Sequence, residues 1–306
     1  FSLQKELGRW VSECIARQRH LPWRGGHDEG NFTNPMCGYY MLTGDEKVLE
    51  FLHELRDKFL EWRKKNFYHG YYPHDDIDVS HGIENFYGFL TNLLSAEPDD
   101  KKSLAAVEDV VHHLGNWVEG IPEWYDWKNH RLRSNYRGTR SVKDYPPYDY
   151  NCTAQSPVFD TALTTYILTH KSRYLDLAKD WGDMWCHIVE ESKDAIPVFL
   201  YSEKDPEKAK QIYGDVYHPF GGVAGGGSWQ EFACGIIYYL LRLGLVCNER
   251  NYIDSARKIL DWFIDWKRSF WDVIGDPNML MWVYKCASDD KHYDKILGVG
   301  CGLAHG

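Results

Sequence analysis

Apolar positions recur along this chain at helical spacing from the first turn onward. Leu3, Leu7, Trp10, Val11, Cys14 and Ile15 fall on one face, the stripe of an amphipathic helix. A loop over residues 18–30, rich in His, Arg, Trp and Gly, leads to a second helix of small residues over about 31–42. Thr43-Gly44-Asp45 is then a tight turn into a third helix carrying Val48, Leu49, Leu52, Leu55 and Phe59. That turn recurs. Thr169-His170-Lys171 precedes Tyr174 and Leu177, Cys247-Asn248-Glu249 precedes Tyr252 and Ala256, and Ser288-Asp289-Asp290 precedes Tyr293. Residues 95–100 give a looser version ahead of Leu104. Each time an apolar helix ends, a short polar turn follows, and a Tyr or Val soon begins an amphipathic helix.

The pattern predicts helical hairpins. Residues 232–245 are apolar on nearly every side and belong inside, whereas the next helix carries Asp254, Arg257, Lys258 and Asp261 on one face and belongs outside. Inner helices alternating with outer ones and closed into a ring give an all-α fold, an (α/α)6 toroid or six-hairpin barrel. About eleven helices are expected, in one domain over residues 1–306 that is incomplete at its termini, with 300–306 reading as a further inner helix cut short. Only residues 196–201 read as a strand.

In such a ring the hairpin turns share one rim, so the loops entering inner helices share the other. Those loops hold His27-Asp28-Glu29, residues 68–86, the long segment 121–150, His218 with the glycine-rich 221–230, Asp276, and His305. Helix N-termini pointing there favour anionic ligands. Residues 68–86 are the densest part, with His69, His74, His81, Asp75, Asp76, Asp78 and Glu84 among tyrosines and phenylalanines. A solvated loop has no use for so many rings, and a core would not tolerate so many ionisable groups. The mixture suits a wet cleft that meets a polar ligand.

Composition narrows the partner. A net charge of −10 argues against nucleic acid or anionic membrane, and no apolar run reaches spanning length. The eight cysteines form no Cys-x-x-Cys pair, so neither a disulfide framework nor a zinc finger is expected. The first residue is Phe1, so the natural start is expected upstream. The compartment is then cytoplasmic or, if a leader is removed, periplasmic or secreted. Aromatic residues make up 15% of the chain, and several, including Trp124, Tyr136, Tyr148 and Trp229, stand in Gly-, Pro- or Asp-rich connections. Rings beside acids and amides suit a pyranose, which offers C–H faces to stack and hydroxyls to bind. An oligo- or polysaccharide is the expected partner, with His27 and His74 among the groups facing it.

Asp28 and Asp78 each stand just before an inner helix. They suit a pair of carboxylates working as general acid and base on a glycosidic bond, or simply two helix caps. His81 and Asn85 share a helical face and, with Tyr136 or Tyr148 and Arg137, would suit β-elimination at a uronate. Asn and Arg would neutralise the carboxylate while His or Tyr abstracts the neighbouring proton. His218 and His305 suit an epimerase or isomerase. His74, Asp75, Asp76, Asp78 and His81 match no metal-loop spacing, and no metal is expected. The run 221–228 has neither a preceding strand nor a following Lys-Ser/Thr, so it is no phosphate loop and no cofactor is implied. Its glycines would let backbone approach a substrate, with Trp229 and Gln230 as contacts.

With these residues in view, the chain resembles the six-hairpin carbohydrate enzymes, and among them the unsaturated glucuronyl hydrolases and their rhamnogalacturonyl relatives. The resemblance rests on His27-Asp28, Thr43-Gly44-Asp45 and Asp78. It implies that Asp78 is the proton donor and base that hydrates a vinyl ether, with Asp28 assisting. Two departures stand out: Asn151 to Pro157 replaces an Arg-Gly-Gln-Ala-Trp-like stretch, and Gly82-Ile83-Glu84 stands where small apolar residues are usual. The α/α-toroid polysaccharide lyases share the fold and would explain His81, Asn85, Tyr136 and Arg137 instead. The leading expectation is hydrolysis of a uronate-containing saccharide through Asp78 and Asp28. β-Elimination comes second, and an epimerase or a non-catalytic sugar-binding toroid is the remaining alternative.

Overall fold

The computed structural model describes residues 2–193, 197, 199–213, 229–267 and 277–298. Its class is all-α: among the described residues the strands are two-residue pairings. Contacts gather the chain into two compact units. The first comprises Phe1–Tyr125, Arg133–Asp144 and Asp160–Tyr174, the second Asp126–Leu132, Tyr145–Phe159 and Leu175–Gly306.

In the first unit, α1 (Ser2–Gln18) packs on α2 (Asn34–Thr43) and α3 (Glu46–Asn66). The second helix expected from the sequence begins as a 3-10 turn, Asn31–Thr33, before it becomes α-helical. Then α4 (Val79–Glu84) passes through a π-helical stretch (Asn85–Leu90) into α5 (Thr91–Ala96), which packs on α2 and α6 (Lys101–Leu114). π-Turns widen a helix by one residue and often mark functional positions. The core is aromatic: Phe59 packs against Trp23 at 5.0 Å and Phe86 at 5.5 Å between ring centres. Burial of each such ring contributes about 1.5–3 kcal/mol.

The chain continues through α7 (Ser156–Thr169) into α8 (Ser172–Glu191) and α9 (Pro206–Tyr213). After them come α10 (Trp229–Cys247), α11 (Arg250–Lys267), α12 (Pro277–Ser288) and the short α13 (Asp294–Leu297). In the second unit α10 packs on both α11 and α12. The anticipated strand contracts to Phe199–Leu200, which pairs antiparallel with Asn151–Cys152. The eight-residue α9 was not foreseen; it carries only two buried residues, Ala209 and Tyr213, too few for a stripe to be read.

The recurring turn has one physical form. Gly44, His170, Asn248 and Asp289 all adopt the left-handed conformation, with φ of +66°, +56°, +55° and +52°, which ends a helix by tilting its last carbonyls away. In three of the four the preceding Thr43, Thr169 or Ser288 hydroxyl accepts the N–H two residues on, at 3.2–3.4 Å. The tyrosine that follows is a structural key. Tyr174 donates to Glu108 at 2.5 Å, Tyr252 to Asp183 at 2.5 Å and Tyr293 to Asp261 at 2.7 Å. Each ring is buried, and its hydroxyl meets a carboxylate from an earlier helix, so the buried polar group is satisfied. Between α3 and α6 the ion pair of Arg56 with Asp100, at 2.8 Å, occupies the equivalent junction.

Candidate active site

The first unit brings three stretches of chain around the start of α4. Asp78 has extended backbone (φ −72°, ψ 161°) and caps the helix, its Oδ1 accepting from the Ser80 and His81 N–H groups at 3.0 and 3.1 Å. Its other oxygen meets His81 Nδ1. The capping role is therefore real, and one oxygen remains for the imidazole.

The segment after Trp124 fixes residues 71–79 from the other side. The Val79 N–H donates to the Asn135 carbonyl at 2.8 Å, and Asp78 and Tyr136 form an antiparallel bridge. Thr139 and Arg140 N–H groups donate to Tyr72 and Pro73 carbonyls at 2.8 and 2.7 Å, while Lys143 Nζ donates to the Asp75 carbonyl at 2.8 Å. Gly138 is required here, because a Cβ would sit 2.2 Å from the His74 carbonyl oxygen.

The loop of His27 is held by an acid and an amide. Glu29 accepts the N–H groups of Arg24, Gly25 and Gly26 at 2.7–3.1 Å. Asn85, at the head of the π-helical stretch, accepts from the Gly30 N–H at 3.1 Å and donates to the Gly26 carbonyl at 3.0 Å. The tether sets the next contact: His27 Nδ1 lies 2.8 Å from Glu84 Oε2, and the His27 and His81 rings meet edge to face, 4.4 Å apart.

His81 is thus surrounded by carboxylates. Burial disfavours its imidazolium, but the hydrogen bond to Asp78 and the charges of Asp78, Glu84 and Asp28 together raise its pKa above the ordinary histidine value. Asp28 is exposed. Among the described residues the helix after it starts with no side-chain cap, so the fold makes no use of Asp28 as a cap. It lines a cavity of about 340 Å³ together with Trp23, Arg24, Glu29 and Phe32.

The other expected ligand contacts differ in their surroundings. Trp124 is fully buried, edge-on to Tyr71 at 4.7 Å, with its Nε1 donating to the Gly138 carbonyl at 3.2 Å. Arg137 is 1% exposed, its guanidinium 4.8 Å from the Trp124 ring centre, and complete burial lowers its pKa to about 10 against the opposing charges of Tyr71 and Asp78. Asn85 is buried with its amide committed to backbone. All three side chains are buried within the first unit. Tyr136 is half-buried under Lys143, whose Nζ lies 5.0 Å from its ring centre, and His74 is exposed. Tyr148 belongs to the second unit, where it packs edge-on to Tyr145. His218, His305, Asp276 and the glycine-rich run lie outside the described residues, as do the side chains of Trp229 and Gln230.

Two residues beside this cluster were not singled out as candidates from the sequence. Glu84 stands three residues after His81, on the same helical face, and that spacing was the available signal. Tyr72 is half-buried, its hydroxyl pushed up to about 12 by burial and then by the charges of Asp76 and Glu84; nothing in the sequence separates it from neighbouring tyrosines.

No family model and no curated protein matches this sequence. Solved structures do. An unsaturated glucuronyl hydrolase from Bacillus sp. GL1, described as responsible for the degradation of glycosaminoglycan, aligns over 96% of this chain and 80% of its own with a TM-score of 0.61 at 12% identity. A UGL variant with dGlcA-Glc-Rha-Glc aligns over 89% of this chain and 71% of its own, with a TM-score of 0.59 and again 12% identity. The chain has the fold of these structures, the (α/α)6 toroid. At this identity the likeness is one of fold.

Proposed function

We propose that this chain hydrolyses a glycosidic linkage in a uronate-containing oligo- or polysaccharide, with Asp78 as the group that moves the proton and Asp28 and His81 assisting. One observation carries the reading: three carboxylates, Asp28, Asp78 and Glu84, converge electrostatically on one half-exposed imidazole. Clustered titratable groups with opposed demands are how a site holds a proton ready near neutral pH. Asp78 accepts two backbone N–H groups and a hydrogen bond from His81, whose raised pKa keeps a proton on the imidazole. Passing that proton through the Asp78–His81 hydrogen bond to a leaving oxygen or an enol ether carbon is general acid catalysis. The deprotonated pair then takes a proton back from the attacking water. Asp28, exposed and uncommitted, stands ready to stabilise positive charge developing on the sugar ring.

The dGlcA-Glc-Rha-Glc saccharide of one similar structure suits this chemistry and supplies the substrate class for the first trial. Incubating the purified chain with oligosaccharides ending in an unsaturated uronic acid should bleach the ultraviolet absorbance of the conjugated double bond. If that absorbance is stable across a panel of such substrates, and no reducing end is released from saturated ones, the reading is wrong. β-Elimination draws less support, because Arg137 and Asn85, its carboxylate-neutralising groups, are only 1% and 3% exposed.

A further inference from the structure

The side chains of His27, His81 and Glu84 form a group that the acid–base chemistry does not fully use. One ring nitrogen from each histidine and one Glu84 oxygen all lie within 4.8 Å of one another. We propose that these three residues bind a divalent transition ion of the zinc class, with Asp78 orienting His81 from behind. The donor set is two imidazoles and a carboxylate, which suits Zn²⁺ and leaves a position open for water or a ligand oxygen.

The arrangement is built for ligation in two further respects. An ionised carboxylate only accepts hydrogen bonds, so Asp78 places a ring proton on the His81 Nδ1 it contacts, and a bound ion would take the Nε2 lone pair in place of the proton that nitrogen carries in the metal-free imidazolium. A carboxylate behind a histidine in this way fixes its tautomer and raises its basicity as a ligand. The spacing is also within reach. Donors around a metal at about 2.1 Å stand roughly 3.3 Å apart, so a set already within 4.8 Å closes with shifts of at most about 1.5 Å. Side chains that are 43%, 49% and 29% exposed have the rotamer freedom to do so. His81 and Glu84 already share a helical face, and Asn85 tethers the loop that delivers His27. The two histidines come from segments far apart in the chain, so no sequence spacing could reveal the set; it differs from the local run His74 to His81, which matches no metal loop.

The test reads binding, not turnover, so it stands or falls separately from the hydrolytic reading. Titration of the full chain with ZnCl₂ in a calorimeter should show one ion bound per chain. Substituting His27→Asn, His81→Asn or Glu84→Gln should each weaken binding by more than about tenfold, and Asp78→Asn by about 10–100-fold. Co²⁺ in place of Zn²⁺ should give visible ligand-field bands without a near-ultraviolet thiolate band. A readout on the unaltered protein complements the variants: Zn²⁺ should protect His27 and His81 from diethylpyrocarbonate while leaving the exposed His130 and His292 reactive. Absence of stoichiometric binding would overturn the proposal. So would affinity that survives all three ligand substitutions, a cobalt–thiolate band, or unprotected His27 and His81.

Discussion

Asp78 and His81 are joined by a hydrogen bond across the first turn of the very helix that Asp78 caps, so one carboxylate both starts α4 and holds the imidazole. Two functions on one side chain can be separated by substitution, because an amide still caps while losing its charge.

Asp78→Asn should therefore retain the fold and lose activity by about 10²–10⁴-fold. Asp28→Asn should lose activity with no change in stability, since its carboxylate caps no helix. Paired measurements of thermal unfolding and turnover on unsaturated uronyl oligosaccharides check both. An Asp78→Asn variant with full turnover removes Asp78 from the mechanism.

The pH dependence follows from His81. Its pKa is raised in the folded state, so its charged form is favoured by folding. That contribution is complete below the ordinary histidine pKa and disappears as pH climbs through the raised value. If the stored proton is the one delivered, kcat/KM should fall on the alkaline side over the same window, above the ordinary histidine range. His81→Gln should abolish that limb. A pH–rate profile of both proteins decides it; an identical alkaline limb in the variant assigns the proton elsewhere.

Gly82 is a point of close approach. A Cβ there would lie 2.1 Å from the Tyr71 hydroxyl oxygen, and Tyr71 is fully buried and cannot swing aside. Gly82→Ala should cost about 1–3 kcal/mol by overpacking, visible as a lower apparent Tm. Gly120→Ser, where an added Cβ meets nothing within 4 Å, tests the other determinant, since its φ of +74° carries strain without a clash.

Asn85→Ala should destabilise by about 1–3 kcal/mol, because the buried Gly30 N–H loses its partner. The effect should be local. Amide exchange across residues 24–31 should quicken, while α6 keeps its protection. Uniform loss of protection would mean that Asn85 supports the unit as a whole.

The helices, their turns and the Asp78 cap could be read from the chain because they rest on interactions between residues a few positions apart. Gly44 and Asn248 suit left-handed φ, threonine or serine before the turn supplies an acceptor, and apolar spacing marks the buried face. The site was legible only in part. Asp28, Asp78, His81 and His27 could be named as candidates because loops entering helices were expected to converge, and the other three lie close enough to His81 to act on it. Trp124 was expected to face a sugar because it stands in a Gly-, Pro- or Asp-rich connection, and Arg137 because it would neutralise a uronate carboxylate; both are buried. An indole and a guanidinium look the same in sequence whether they line a cleft or stack beneath it.

By itself the sequence determined the all-α class, the hairpin rhythm and the acid that opens α4, since backbone geometry and short-range hydrogen bonds are local properties. The tertiary structure decided which histidine meets which carboxylate. Pairing His27 with Glu84, committing Asn85 to the loop backbone and burying Arg137 against Trp124 all depend on how distant segments pack. Burial and electrostatic neighbours act through space, and sequence separation carries no record of them.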